Sequence, residues 1–448
     1  MSDINEKLRR LPKIDKLTAD NNFKGLNSEF LKISARNVID SLRHNLINKD
    51  AEIPETEEII QAVKEEYLKI KRGTLYKVIN ATGVPIHTNL GRSPIDESTL
   101  KEAAELTSGY SNLEYNVQTG KRGDRYHHTA DYLRILTGSE DAVIVNNNAS
   151  AVFLILNTFC KNKEVIVSRG ELVEIGGSFR IPDVMSRSGA KLSEIGTTNK
   201  TRKSDYEEAV SPKTAMMMKV HKSNYEIVGF SEEASLDDIA KSASEAGVLS
   251  YYDAGSGLFE KVLPDSVCDD LTIPDIAKKG FDLISFSGDK MLGGCQAGII
   301  VGRTELIKKI KKNPLMRMLR VDKLTLSILQ SVFRRYIEGE AETPVNKMLS
   351  ADIQQLRTKA LNLSEMLSCK TEVISIKSTI GGGSCPLSEI ESFGVAIISK
   401  KKPQYIEKTL RRADTPVIAR IIDDKAVLDV RTIPEPDFDL VKKAAEGL

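Results

Sequence analysis

The sequence predicts an α/β protein with a mostly parallel sheet, a helical module before it and a small α+β domain after it. Three observations carry this. Between residues 76 and 335, short runs rich in Val and Ile alternate with longer segments of helical spacing, as strands joined by crossover helices do. Residues 1–75 carry apolar side chains at helical intervals. Residues 336–448 hold strand-like stretches close together in sequence, which suits a smaller α+β unit.

Composition sets outer limits. The chain of 448 residues suits two or three domains. Lys and Arg number 64 against 63 Asp and Glu, for a net charge of +1. That balance argues against a protein coated all over by nucleic acid, but not against a local basic face. With 40% hydrophobic and 28% charged residues, a large core can be buried and wholesale disorder is excluded. No apolar run approaches the roughly 20 residues of a membrane-spanning helix. The charged start MSDINEKLRRLPKIDKL lacks the apolar stretch of a secretory signal. Cysteines 160, 268, 295, 369 and 385 form no CxxC motif. They read as separate, inert core thiols in a reduced, cytoplasmic protein.

In the N-terminal module Leu8, Leu11, Ile14 and Leu17 recur every three residues, and Ile59, Ile60, Val63 and Tyr67 repeat the pattern. Through residue 49, ten Lys or Arg stand against six Asp or Glu. This surplus suits a solvated bundle or a module that meets an acidic partner. Pro54 and the acids within Asn48–Glu58 mark a helix break. The central strand candidates are DAVIVNNN, KEVIVSRG, MMMKVHKS, GVLSYYDAGSG, FDLISFSGD and QAGIIVG. Each ends on Gly, Asn, Ser or Asp. Ligands of parallel sheets bind beyond the carboxyl ends of the strands, so chemistry is expected at these endings. In the last domain, PVIARIIDDKAVLDVRT reads as a hairpin turning at Asp423 and Asp424.

Several sites are missing from the sequence: there is no P-loop, no HExxH and no dinucleotide fingerprint. His44, His87, His127, His128 and His221 are scattered. The pair 127/128 would point to opposite sides of a strand, so no metal site is expected. The strongest local signal is FDLISFSGDKMLGG, which sets Lys290 in a tight turn after a buried strand. A partly buried lysine loses its proton more readily and can form a Schiff base with an aldehyde. Upstream, GVLSYYDAGSG ends its strand at Asp253. Taken singly, Lys290 reads as a surface lysine and Asp253 as a turn residue. In this order they suit pyridoxal phosphate, whose aldehyde a lysine binds and whose ring nitrogen a carboxylate keeps protonated. DAVIVNNNASAVFLIL adds a strand, a polar turn and an apolar helix. Asn148 or a neighbour would cap that helix and leave N–H groups for a phosphate. Ser287 could add a hydroxyl. Arg317 and Arg320 stand three apart on a basic helical stretch, and Arg92 lies in a Gly/Pro turn. Three arginines brought together would bind a compact oxyanion.

Long ungapped stretches then resemble one family, the bacterial L-seryl-tRNA(Sec) selenium transferases. They include INATGVPIHTNLGRSP, GYSNLEYNVQTGKRGDRY, VIVSRGELVEIGGSFRIPDVM, KVHKSNYEIVGF, SFSGDKMLGGCQAGIIVG and KNPLMRMLRVDKLTL. The resemblance also reaches LRRLPKIDKL near the start and STIGGGSCP near the end. It implies a fold-type-I pyridoxal 5'-phosphate transferase, aminotransferase-like in fold. Its parts would be a tRNA-contacting module over 1–75, a cofactor-binding domain over 76–335 and a small domain over 336–448. Lys290 matches the family's cofactor lysine and Asp253 its ring-nitrogen acid, with Asn148 and Ser287 at the cofactor. Arg92, Arg317 and Arg320 match the arginines that hold the selenium donor. DAGSG stands where DLGSG is usual, a change of packing rather than chemistry.

The implied reaction converts seryl-tRNA(Sec) to selenocysteinyl-tRNA(Sec). The serine hydroxyl is eliminated and selenium from selenophosphate is added, in a homo-oligomeric ring of dimers in the cytoplasm. The alternative is a lyase acting on a small free amino compound such as an amino-sugar phosphate; such relatives are shorter and lack the N-terminal module. Because the serine carboxylate is esterified to tRNA, Arg420 and Arg431 read as solvent-facing or RNA-facing residues.

Overall fold

The computed structural model describes residues 2–49, 52–175, 179–340, 342–386 and 388–448. Two compact units, 1–78 and 79–448, are distinguished.

The first unit is helical. Pro12 interrupts the leucine spacing, giving helices Ser2–Arg10 and Ile14–Thr18 in place of one. Two longer helices follow, α1 (Ser28–Asn48) and α2 (Thr56–Arg72). Asn27 caps α1 by accepting from the N–H groups of Glu29 and Phe30. Leu31, Ala35, Ile39, Ile59, Val63 and Tyr67 meet in one apolar cluster. The acidic stretch before α2 is the expected break.

The second unit centres on seven strands: β1 (Asp141–Val145), β2 (Glu164–Ser168), β3 (Lys191–Ile195), β4 (Thr214–Val220), β5 (Leu249–Asp253), β6 (Leu283–Ser287) and β7 (Gly298–Gly302). Their order across the sheet is β1-β7-β6-β5-β4-β2-β3. All neighbours are parallel except where β7 meets β6 and β1. The reversal has a simple cause. Residues 288–297 are too short a link for a crossover, so β7 must return antiparallel. That same link carries Lys290. Six of the seven strands are the runs read from the sequence. The edge strand β3, KLSEI, escaped notice because one polar, partly exposed edge dilutes its apolar signal. Val143, Val145, Val165, Val167, Met216, Met218, Leu283 and Ile300 pack on one face of the sheet and Ile144, Ile166, Met217, Ile284, Ile299 and Val301 on the other.

A second sheet, β8 (Thr371–Thr379), β9 (Glu389–Ile397), β10 (Arg420–Ile422) and β11 (Lys425–Asp429), is antiparallel in the order β8-β9-β11-β10. Asp423 and Asp424 both have positive φ, 45° and 56°, and form the hairpin turn expected there.

Three expectations are corrected. His127 and His128 open a helix, His127–Thr137, rather than lie on a strand. Arg431 is not solvent-facing: it is buried and donates to the Met348 and Glu391 carbonyls, while Arg420 stays partly exposed and pairs with the buried Asp429 at 3.0 Å. The cysteines are not all separate thiols. Cys268 and Cys385, 117 residues apart, are joined by a disulfide that no local spacing could reveal. Among the described residues no helix is long and apolar enough to cross a membrane.

Candidate active site

The carboxyl ends of β4, β5 and β6 open on a cavity of about 220 Å³. Arg92, Asn148, Asp253, Ser287 and Lys290 all line it, so residues dispersed over the sequence meet at one place.

Asp253 ends β5 and is buried. Asn148 Nδ2 donates to its Oδ1 at 2.7 Å, and the Gly255 N–H donates to the same oxygen at 3.1 Å. Burial pushes the Asp253 carboxyl above the usual range, against the pull of Asn148, Gly255, Lys290 and His221. Such an acid is held in place without being neutralised by an ion pair, and it is suited to a cationic ring nitrogen.

Lys290 is 8% exposed. Burial lowers its proton affinity, and the nearby Arg92 lowers it further, while Asp253 and Asp289 oppose. The result is a more nucleophilic amine. Arg92 adopts the left-handed region, φ 62°, and its guanidinium meets Asp289 Oδ2 at 2.7 Å. The Ser93 N–H donates to the Asp289 carbonyl. Asp289 therefore ties the Arg92 segment to the residue beside Lys290.

The helix α3 (Asn148–Phe159) starts at the cavity. Its cap is Asn147, which accepts from the Ser150 N–H at 2.8 Å; Asn148 serves Asp253 instead. Gly298 permits this arrangement, since a Cβ there would fall 2.1 Å from the Asn147 carbonyl. The start of α3 and Ser287, at the end of β6, line the same cavity, and free N–H groups at a helix start can receive an anion.

Among the described residues, two of the buried polar atoms without a partner, Asn148 Oδ1 and His221 Nδ1, belong to residues of this cavity. Buried polar groups ordinarily find partners, so a polar ligand is called for. An amine, a buried carboxylate and a helix start lining one cavity fit pyridoxal phosphate.

Arg317 and Arg320 are not brought in. They do not share a continuous helix face: Arg317 is exposed on the short helix Met316–Leu319, and Arg320 lies past its end in extended backbone. Arg320 lies 3.6 Å from Glu114. Neither lines the cavity. Sequence reading missed Asp289 and His221. The first was visible in the SGDK turn, next to the chosen lysine. The second follows β4 as MMMKVHKS, and only the sheet order shows that β4 adjoins β5.

Comparison with known proteins adds independent findings. Residues 78–434 match the family model described as L-seryl-tRNA selenium transferase. A protein of Aliarcobacter butzleri named L-seryl-tRNA(Sec) selenium transferase is 47% identical over 445 residues, covering 98% of each chain. Proteins of the same name from Sulfurimonas denitrificans and Aquifex aeolicus are 48% and 45% identical, covering 96% and 98% of each chain. Among solved structures, D-glucosaminate-6-phosphate ammonia-lyase aligns with a TM-score of 0.61 at 20% identity, covering 83% of this chain and 95% of the lyase. At that identity the likeness speaks for the fold.

Proposed function

The chain belongs to the L-seryl-tRNA selenium transferase family, and from that premise we propose how its own residues divide the work. It is a fold-type-I, pyridoxal 5'-phosphate-dependent L-seryl-tRNA(Sec) selenium transferase, forming selenocysteinyl-tRNA(Sec) from seryl-tRNA(Sec). When bound, the cofactor supplies an aldehyde and an electron-accepting ring.

In our reading Lys290 binds the aldehyde, Asp253 faces the ring nitrogen and Asn148 fixes Asp253. The start of α3 and the Ser287 hydroxyl receive the phosphate. The Lys290 amine would serve as the base that takes the proton from the serine Cα. The same amine is the economical acid for the departing hydroxyl, a poor leaving group unless protonated. Arg92 is assigned to the selenium donor, selenophosphate, with Arg317 and Arg320 completing the set from outside the cavity lining. Residues 1–75 are assigned to tRNA, which the basic surplus of their first 49 residues supports. Residues 76–335 and 336–448 form the cofactor-binding and small domains of a cytoplasmic homo-oligomer.

The observation that carries this reading is the shared cavity of Lys290 and Asp253, with Asn148 bonded to the acid. The test is incubation with seryl-tRNA(Sec) and selenophosphate, followed by identification of the aminoacyl group. Selenocysteine on the tRNA is expected. Unchanged serine, together with turnover of a free amino-sugar phosphate, would favour the lyase reading.

A further inference from the structure

A second cavity, of about 340 Å³, has His221 on its wall, as the cofactor cavity does. Cys385, Asp269 and Asp270 line it as well. His221 Nε2 lies 3.0 Å from Asp270 Oδ1, and Asp270 Oδ2 lies 3.5 Å from Cys385 Sγ. Cys385 is joined to Cys268. A chain of contacts therefore leads from the sulfur pair through Asp270 to a wall residue of the cofactor cavity.

We propose that Cys268 and Cys385 form a reversible dithiol–disulfide site whose state is transmitted to the cofactor cavity.

The loop around Cys385 is built to present it. Gly381, Gly382 and Gly383 all have positive φ, and Cys385 itself adopts φ 45°, unfavourable for a residue with a side chain. Side chains at 381 and 382 would strike Val84 and Ile86, and one at 383 would meet Ser223, a residue of the cofactor cavity wall. The Ile86 N–H also donates to the Ile380 carbonyl. The loop thus leans on the segment that leads to Arg92. The pair shares one apolar cluster with Ile86 and with Met291, the neighbour of Lys290. The Cα atoms of the two cysteines stand 5.6 Å apart, within the range a disulfide needs.

The chemistry balances with a hydroperoxide as oxidant. One thiolate attacks the peroxide oxygen, giving a sulfenic acid and a molecule of water or alcohol. The second thiol displaces water from that sulfur, so two thiols lose two electrons and two protons as the peroxide O–O bond is reduced. A small dithiol reverses the step by exchange. Reduction gives Cys385 an S–H that can donate to Asp270, which the bonded sulfur cannot do. The Asp270–His221 contact is then shared with a new donor, and the glycine loop loses its tether. Cys160 and Cys295 make poor competitors, because burial pushes their thiols up to about 12, and partial burial raises the Cys369 thiol as well.

The thiol chemistry is independent of the cofactor assignment, whereas the coupling rests on it. Holoenzyme is treated with hydrogen peroxide or with dithiothreitol, then denatured and alkylated. Three free thiols and a Cys268–Cys385 cross-linked peptide are expected after peroxide, and five thiols after dithiothreitol. A cross-link through other cysteines overturns the site. So does stoichiometric zinc on the reduced pair with Asp270, since these three side chains also have metal-ligand spacing. For the coupling, the dissociation constant of pyridoxal phosphate is measured on each form. It is expected to be about fivefold weaker, or more, on reduced protein, with no redox dependence in Cys385→Ser or, should that variant fold poorly, in Cys268→Ala. A constant unchanged between oxidised and reduced wild type overturns the coupling and leaves the cofactor assignment standing. A protein that binds no cofactor in either form overturns both.

Discussion

The Asn148 amide donates to the Asp253 carboxylate at 2.7 Å across 105 residues of sequence. This bond fixes the orientation of the Asp253 carboxylate and joins the start of α3 to the end of β5. A hydrogen bond to a buried charged group is worth about 1.5–3 kcal/mol. Asn148→Ala should therefore weaken pyridoxal phosphate binding by about tenfold or more. Titration of the apoprotein with cofactor, followed by absorbance, measures this. Binding within a factor of two of wild type would remove Asn148 from the account.

The Arg92–Asp289 pair gives a prediction with opposite signs for its two members. Cofactor attachment needs the unprotonated amine of Lys290. Arg92 lowers that amine's proton affinity and Asp289 raises it. In Arg92→Ala the attachment rate should rise only at higher pH than in wild type. In Asp289→Asn the rise should move to lower pH. Stopped-flow mixing of apoprotein and cofactor across pH reads both shifts, and movement in the same direction would contradict the electrostatic reading.

Stability should depend heavily on Asp429. It is fully buried and accepts from Ser378, from Ser392 at 2.7 Å, from Arg420 at 3.0 Å and from the Arg431 N–H at 3.0 Å. Asp429→Ala leaves the Arg420 cation and two hydroxyls without their acceptor. A loss of about 3–5 kcal/mol is expected, read as a lower urea midpoint with an unchanged slope.

The central sheet was legible because strands buried on both faces are nearly continuous apolar runs. The candidate site was legible where a polar residue stands at or just past the end of such a run, as Asp253 and Lys290 do. Relationships set by packing were not legible. The expected cap, Asn148 or a neighbour, is Asn147, and only the proximity of β5 shows that Asn148 bonds Asp253 instead. Arg317 and Arg320 looked like one helix face, but the helix ends between them. The Cys268–Cys385 bond depends on where two loops meet, which neither sequence spacing nor residue type records.

The central claim is that the amine of position 290 holds the cofactor against Asp253. Borohydride reduction of the holoenzyme followed by peptide mass mapping tests it most directly. The account predicts a pyridoxyl group on the peptide carrying Lys290, absent from Lys290→Ala, whose turnover should fall by about 100-fold or more. A pyridoxyl group on a different lysine of the wild-type protein would contradict it.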